Sequence, residues 1–360
     1  MLRYRPSHLR IFSRLPVMSV ESHNRDIVCI AASMGGIRTI PEVLSRLKPE
    51  LPATILVTQH ISEHGKCYLG DLFAARCSLD CQMATQDAPI RRGVVYIAPP
   101  GRHLMMTNDR IRLVNGPREN FSRPAADPMF RAAAAAFRGR VIGIVLTGLM
   151  QAGTSGMQAV KRCGGLTAVQ RPEQAIAPGM PQSALQYCDV DHVLSAEEIG
   201  ESINRWCREP AGPMDPPPSD IIRELEYHRT PHSDMANEEM FGELSPFMCP
   251  DCNGQLWRSE AGGLSRFRCH VGHAHTLVSL VEAHRSSADR QAWSLMRTYA
   301  ERQRLLVDLA DRLLPEATEE REQYRIEAEL VDQQASLVRE AILLDGQADE
   351  AAAMGELVVS

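Results

Sequence analysis

From residue 25 to about residue 207 the chain repeats one pattern. A short apolar run rich in β-branched residues is followed by a turn, and then by apolar positions spaced three and four apart. The runs fall at 27–31, 54–58, 94–98, 110–114, 141–146 and 166–169. Uninterrupted apolar runs of this length read as strands buried on both faces, as in a parallel sheet covered by helices. Helical spacing lies between them at 41–47, 68–75, 128–137 and 156–163. Asp127-Pro128 reads as an N-cap followed by proline at the first helical position. Strands alternating with helices predict an α/β domain over 25–207 with a doubly wound, mostly parallel sheet.

Beyond that domain the pattern changes. Pro210, Gly212, Pro213 and Pro216-Pro217-Pro218 predict a Pro-rich linker over 208–244, with one short helical pattern at 221–227. A small Cys/His module is expected over 245–280. Trp293, Met296, Ala300, Val307, Ala310 and Leu314 then repeat at helical spacing until Pro315, and Tyr324, Ala328, Val331, Ala335, Val338 and Ile342 repeat it again. These stripes predict an α-helical hairpin over 281–346, followed by a flexible tail at 347–360. Residues 1–24 read as a disordered N-terminal arm: Arg3, Arg5, Arg10 and Arg14 come without acids, an apolar core or a cleavage pattern.

Composition narrows the function classes. A net charge of −6 and a pI near 6.1 argue against a nucleic-acid partner. No apolar stretch is long enough to predict membrane insertion. Ten cysteines in 360 residues are too sparse for a disulfide scaffold. Cys29 in a strand pattern and Cys163 in a helical one read as reduced, buried thiols, so a cytoplasmic location is expected.

The candidate chemistry begins where the first strand ends. Ser33-Met34-Gly35-Gly36 is a small-residue turn between a strand and a helix, and open α/β sheets hold their ligands at the carboxyl ends of strands. Val57-Thr58-Gln59-His60 brings an imidazole to the same edge, where it can serve Ser33 as general base. Leu146-Thr147-Gly148-Leu149 leaves a third strand there. The backbone N–H groups of Met34 and Leu149 are the expected oxyanion donors. His103, in a loop after Pro-Gly-Arg, reads as structural or substrate-lining.

Ala32-Ser33-Met34-Gly35-Gly36, Gln59-His60, Tyr96-Ile97-Ala98-Pro99, Arg102-His103-Leu104, Arg123-Pro124, Leu146-Thr147-Gly148 and Gly179-Met180-Pro181 together resemble the catalytic domain of the chemotaxis protein-glutamate methylesterases, the CheB family. The resemblance implies hydrolysis of glutamate methyl esters on methyl-accepting chemoreceptors, and possibly glutamine deamidation, by a Ser-His-Asp triad. Ser33 matches the nucleophile and His60 the base. The family's Gly-x-Asp-Gly segment falls on Met150-Gln151-Ala152-Gly153, so alanine stands where the triad acid would be. Losing that acid costs on the order of 10⁴-fold in rate. A competing expectation is therefore a pseudoenzyme that binds a receptor or signalling partner, with the C-terminal helices as docking surface. Too few residues precede the first strand for the receiver domain that family members often carry, so a member without one is expected.

Cys249-Pro-Asp-Cys252, sixteen residues and then Cys269-x3-His273 have the spacing of a tetrahedral structural zinc site. His270 and His275 are rival fourth ligands, and reduced thiols in a small apolar knuckle are the bland alternative. Four protein ligands leave no open position, so no cofactor is expected to serve catalysis. The segment 247–293 also resembles a C-terminal module attached to some CheB-like proteins.

Overall fold

The computed structural model describes residues 23–63, 67–226, 228 and 242–358, with side chains described to residue 344. It divides into two compact units, one ending at Leu277 and one beginning at Val278. The expected N-terminal arm lies almost wholly outside the described residues.

In the first unit the strands are β1 (Ile27–Ala32), β2 (Thr54–Gln59), β3 (Asp80–Met83), β4 (Val94–Ile97), β5 (His103–Met106), β6 (Ile111–Val114), β7 (Val141–Val145), β8 (Leu166–Gln170) and β9 (His192–Leu194). Seven of them form one sheet in the order β3-β4-β2-β1-β7-β8-β9, with every neighbouring pair parallel. The sequence expects the run at 110–114 to join this sheet. Instead β6 pairs antiparallel with β5 in a separate hairpin. Its outer positions are only half buried, which a central parallel strand does not tolerate.

The helices are α1 (Gly36–Ser45), α2 (Leu69–Ala74), α3 (Ala126–Phe137), α4 (Thr154–Arg162), α5 (Gly179–Tyr187), α6 (Ala196–Trp206) and α7 (Ser219–Glu226). Two apolar layers flank the sheet. Val28, Ile30, Ile55 and Val57 pack with Ile40, Leu44, Ile199 and Ile203 on one face. Cys29, Ala31 and Leu56 pack with Met129, Phe130 and Met157 on the other. The period-two alternation of strand side chains thus feeds both layers from the same strands, and the polar exceptions Thr54, Thr58 and Thr167 are buried with their hydroxyls hydrogen-bonded.

Two expectations need correction. Asp127 does not cap its own helix: α3 starts two residues earlier than expected, after Ala125, and no side chain caps it. The linker expected over 208–244 is in part packed chain. Ala211 N–H donates to His23 O at 2.7 Å, and Gly139 and Gly212 exchange backbone hydrogen bonds with their surroundings because a Cβ at Gly139 would lie 2.3 Å from Gly212 O. Ile221 and Leu225, four apart on α7, are both buried. The remainder of that segment, 229–241, lies outside the described residues.

The same unit ends in a four-stranded antiparallel sheet of β10 (Glu243–Met248), β11 (Gln255–Ala261), β12 (Leu264–Cys269) and β13 (Ala274–Thr276). The second unit consists of α8 (Leu277–Arg312) and α9 (Thr318–Val358). Leu306, Ala328 and Val331 pack with Tyr299 and Tyr324, and Arg321 donates to the carbonyls of Ala310 and Leu313, so the two helices run antiparallel. Leu306 takes the buried place expected of Val307, while Trp293 and Leu314 are at least half exposed. The backbone of α9 stays helical to Val358, through most of the expected tail. No helix among the described residues is long and apolar enough to cross a membrane.

Candidate active site

The parallel register of β1 and β2 sets Ala32 opposite Gln59, so the next residues, Ser33 and His60, leave adjacent strand ends side by side. His60 N–H donates to Ala32 O at 3.0 Å, and Ser33 N–H donates to Thr147 O at 2.9 Å, which ties the turns after β1, β2 and β7 into one edge. The Gln59 amide donates to Ser33 O at 2.7 Å and to His60 O at 3.0 Å. That cross-brace needs Gly36, where a Cβ would sit 2.0 Å from Gln59 Oε1. Gly35 has φ +85°, which a residue with a side chain adopts only under strain. Gly148 backs directly onto the serine, since a Cβ there would lie 2.9 Å from Ser33 Cβ.

Met34, in the serine turn itself, and Leu149, in the turn after β7, are both exposed. The neighbouring N–H groups are already committed, Ser33 to Thr147 O and Gly148 to Ala177 O. Thr147 Oγ1 donates to Met34 O at 2.8 Å and accepts from Ala177 N–H at 2.9 Å, so both turns are held by one hydroxyl.

The His60 ring is half-buried, and its Nε2 is enclosed with no hydrogen-bond partner among the described residues. Burial lowers its pKa to about 4, so the imidazole is neutral at physiological pH. No described carboxylate pairs with it. Ala152, at the position where the resemblance puts the triad acid, is buried among apolar side chains. Asp127 does not substitute for it. Its carboxylate accepts from Gly156 N–H at 2.7 Å and Gly153 N–H at 3.0 Å, which caps the N-terminus of α4, and burial raises its pKa.

The CheB methylesterase profile matches residues 28–203. A protein-glutamate methylesterase/protein-glutamine glutaminase, so named putatively, from Leptospira interrogans is 34% identical over 179 residues, which are 49% of this chain and 93% of that protein. The chain belongs to the CheB methylesterase family. Protein-glutamate methylesterase/protein-glutamine glutaminase 2 of Anaeromyxobacter dehalogenans is 36% identical over 183 residues, 51% of this chain and 54% of that protein. The protein-glutamate methylesterase/protein-glutamine glutaminase of Azospirillum brasilense is 35% identical over 195 residues, 53% of this chain and 50% of that protein. The chain thus spans nearly the whole Leptospira relative and about half the length of the other two.

At His60 the CheB domain carries an open cleft, lined also by Glu63, Arg118, Phe121, Ser122 and Arg123. Glu63 accepts from Arg118 at 2.8 Å and from Arg123 at 3.2 Å, and the Arg118 hydrogen bond leads the effects that hold its carboxyl below the usual range. Arg123 belongs to the Arg123-Pro124 fragment, whereas Glu63, Arg118, Phe121 and Ser122 carry no motif in the sequence and are singled out only by their place in the cleft with His60. His103 is not part of the cleft: fully buried, it accepts from Ala125 N–H through Nδ1, so Nε2 is the protonated nitrogen and donates to Pro117 O at 2.9 Å. Burial, with His228 beside it, lowers its pKa to about 3.

Far along the chain, the Sγ atoms of Cys249, Cys252 and Cys269 and Nδ1 of His273 lie within 4.8 Å of one another. Of the rival histidines, His270 packs on Gly254, and His275 pairs with Asp251 at 3.1 Å and forms with Asp251 and Cys249 a second cluster of ligand-type atoms within 4.8 Å of one another.

Proposed function

We propose that the CheB domain is a cytoplasmic serine esterase that hydrolyses glutamate methyl esters on chemoreceptor-type proteins, working from a two-membered Ser33–His60 pair. The reading rests on one observation above all: an enclosed, unpartnered and neutral imidazole nitrogen stands beside a strand-end serine. In the proposed reaction Ser33 Oγ attacks the ester carbonyl and passes its proton to His60. The Met34 and Leu149 N–H groups hold the oxyanion, and methanol leaves with the proton from His60. Water activated by His60 then cleaves the acyl-serine and frees the glutamate. The names of the relatives add deamidation of glutamine as a second reaction of the same acyl chemistry.

Without an acid to fix its tautomer, His60 works at a disadvantage on the order of 10⁴-fold. That observation favours the second reading, a receptor-binding or signalling protein that keeps the fold without useful turnover. Methanol release from a methylated receptor separates them. A rate above that of Ser33→Ala supports the esterase, and equality with Ser33→Ala rejects it. Ala152→Asp is expected to raise the rate by orders of magnitude if the rest of the site is assembled.

A further inference from the structure

One wall of the His60 cleft, formed by Arg118, Phe121, Ser122 and Arg123, belongs to a loop, 116–124, held from behind by the Cys/His module. Ala274 N–H donates to Arg118 O at 3.1 Å and Asn120 N–H donates back to Ala274 O at 2.9 Å, so β13 extends onto the loop as a short parallel bridge. Thr276 N–H donates to Asn120 Oδ1 at 3.1 Å. Arg268 of β12 donates to Glu119 Oε1 at 3.3 Å and to Gly272 O at 2.9 Å, joining the loop to the turn between Cys269 and His273. The ring of Phe121, which lines the cleft, meets His275 edge-on at 5.7 Å between centroids. Every one of these tethers lands within five residues of Cys269 or His273.

Those two residues and the first cysteine pair form a metal-sized tetrahedron. Zinc binds sulfur at about 2.3 Å and imidazole nitrogen at about 2.0 Å, which places tetrahedral ligand atoms roughly 3.5–3.8 Å apart. Cys252 and Cys269 are 3.6 Å apart between sulfurs, and His273 Nδ1 is 3.6 Å from Cys269 Sγ and 3.8 Å from Cys249 Sγ. A disulfide requires about 2.05 Å, so the sulfurs are spaced for a shared ion and not for a bond to each other. Two tight turns aim them inward: Asn253 N–H donates to Cys249 O at 2.7 Å and Gly272 N–H to Cys269 O at 2.8 Å, with Asn253 and Gly272 both at positive φ.

We propose that Cys249, Cys252, Cys269 and His273 hold one zinc ion whose role is to fix β13, and through β13 the loop that forms the back wall of the His60 cleft. The metal is a positioning cofactor held by a closed ligand set. Its seat within the unit makes cleft geometry responsive to thiol oxidation or metal supply. The proposal concerns the cleft used by the esterase reading, but its readouts need no turnover, so the two can fail separately.

The test combines metal analysis with hydrogen–deuterium exchange on the full chain. Native protein is expected to carry about one equivalent of zinc. Stripping it with a chelator under reducing conditions is expected to speed exchange in peptides covering 116–124 and 269–276 by about tenfold or more, as tethered amides become free to open. Peptides from β1 and β2 should keep their protection. Cys249→Ser should reproduce the stripped pattern without chelator, and Asn120→Ala should loosen 116–124 while retaining zinc. Less than half an equivalent of zinc overturns the proposal. So does unchanged exchange in 116–124 after stripping, or loss of protection throughout β1 and β2, which would make the metal a support of the whole fold and not of this wall.

Discussion

At the scale of single residues, the chemistry of the site turns on His60. An unperturbed histidine gives an esterase an acid limb near pH 6.5. Burial lowers the His60 pKa to about 4, so the base stays unprotonated through the whole neutral range. The acid limb of kcat/KM for methyl-ester hydrolysis is therefore expected near pH 4, with a flat profile from about pH 5 to 7. A midpoint near 6.5 would show that the ring is solvated and carries no such burial. The serine and histidine are legible in the sequence because each follows an apolar strand run. In the sequence Gln59 stands out only as the neighbour of His60. Its job, bracing both turns from a position that a strand pattern marks as buried, depends on β1 and β2 being neighbours.

At the scale of elements, Asp127 shows how one sequence signal supports two structures. An acid before proline at the head of an alanine-rich segment has the signature of an N-cap, and α3 does begin there. The carboxylate instead crosses to α4 and accepts from Gly153 and Gly156, whose N–H groups would otherwise be orphaned in a buried helix start. Asp127→Ala should cost about 1–3 kcal/mol of stability, the range for stranding buried donors, measured as a shift in the urea midpoint at unchanged slope. It should also disturb the turn 147–153 beside Ser33. An effect near zero would mean that water or Asn120 satisfies those amides. Among the strands that the pattern does not show, β3, β5 and β9 are short and each is interrupted by a polar residue (Asp80 and Gln82, His103, His192), and β10–β13 lie in the Cys/His module, where the cysteine spacing and not an apolar run marks the segment. The linker helix α7 was visible as Ile221 and Leu225, but its packing was not.

At the scale of the first unit, one buried carboxylate gathers side chains from distant parts of the chain. Glu119 accepts from Arg131 of α3, from Arg268 of β12 at 3.3 Å and from His228 at 2.8 Å. Burial opposes its charge, but the two guanidinium groups and the histidine outweigh burial and hold its carboxyl well below the usual range. Its contribution to stability is present above the unfolded carboxylate value and is lost as the pH falls toward the lowered one. Glu119→Gln leaves two buried cations around a neutral amide and should destabilise by about 3–5 kcal/mol, read from chemical unfolding near pH 7. The difference from the parent protein should narrow in acid. A change under about 1 kcal/mol would mean that Glu224, which also meets Arg131 and Arg268, carries the network alone.

Local pattern by itself determined the α/β alternation, the strand-end positions of Ser33 and His60, and the Cys/His spacing. These are properties of neighbouring residues, and short-range periodicity and turn chemistry record them directly. Tertiary structure alone decided that no described carboxylate reaches His60, that Asp127 serves a different helix, and that His273 lies within 4.8 Å of all three cysteines while His275 shares a cluster with Cys249 and Asp251. It also decided that the Cys/His module backs the wall of the cleft. Each of these is a contact across more than twenty residues, or a choice among chemically equivalent groups. Only the packing of strands against loops in three dimensions selects among such partners.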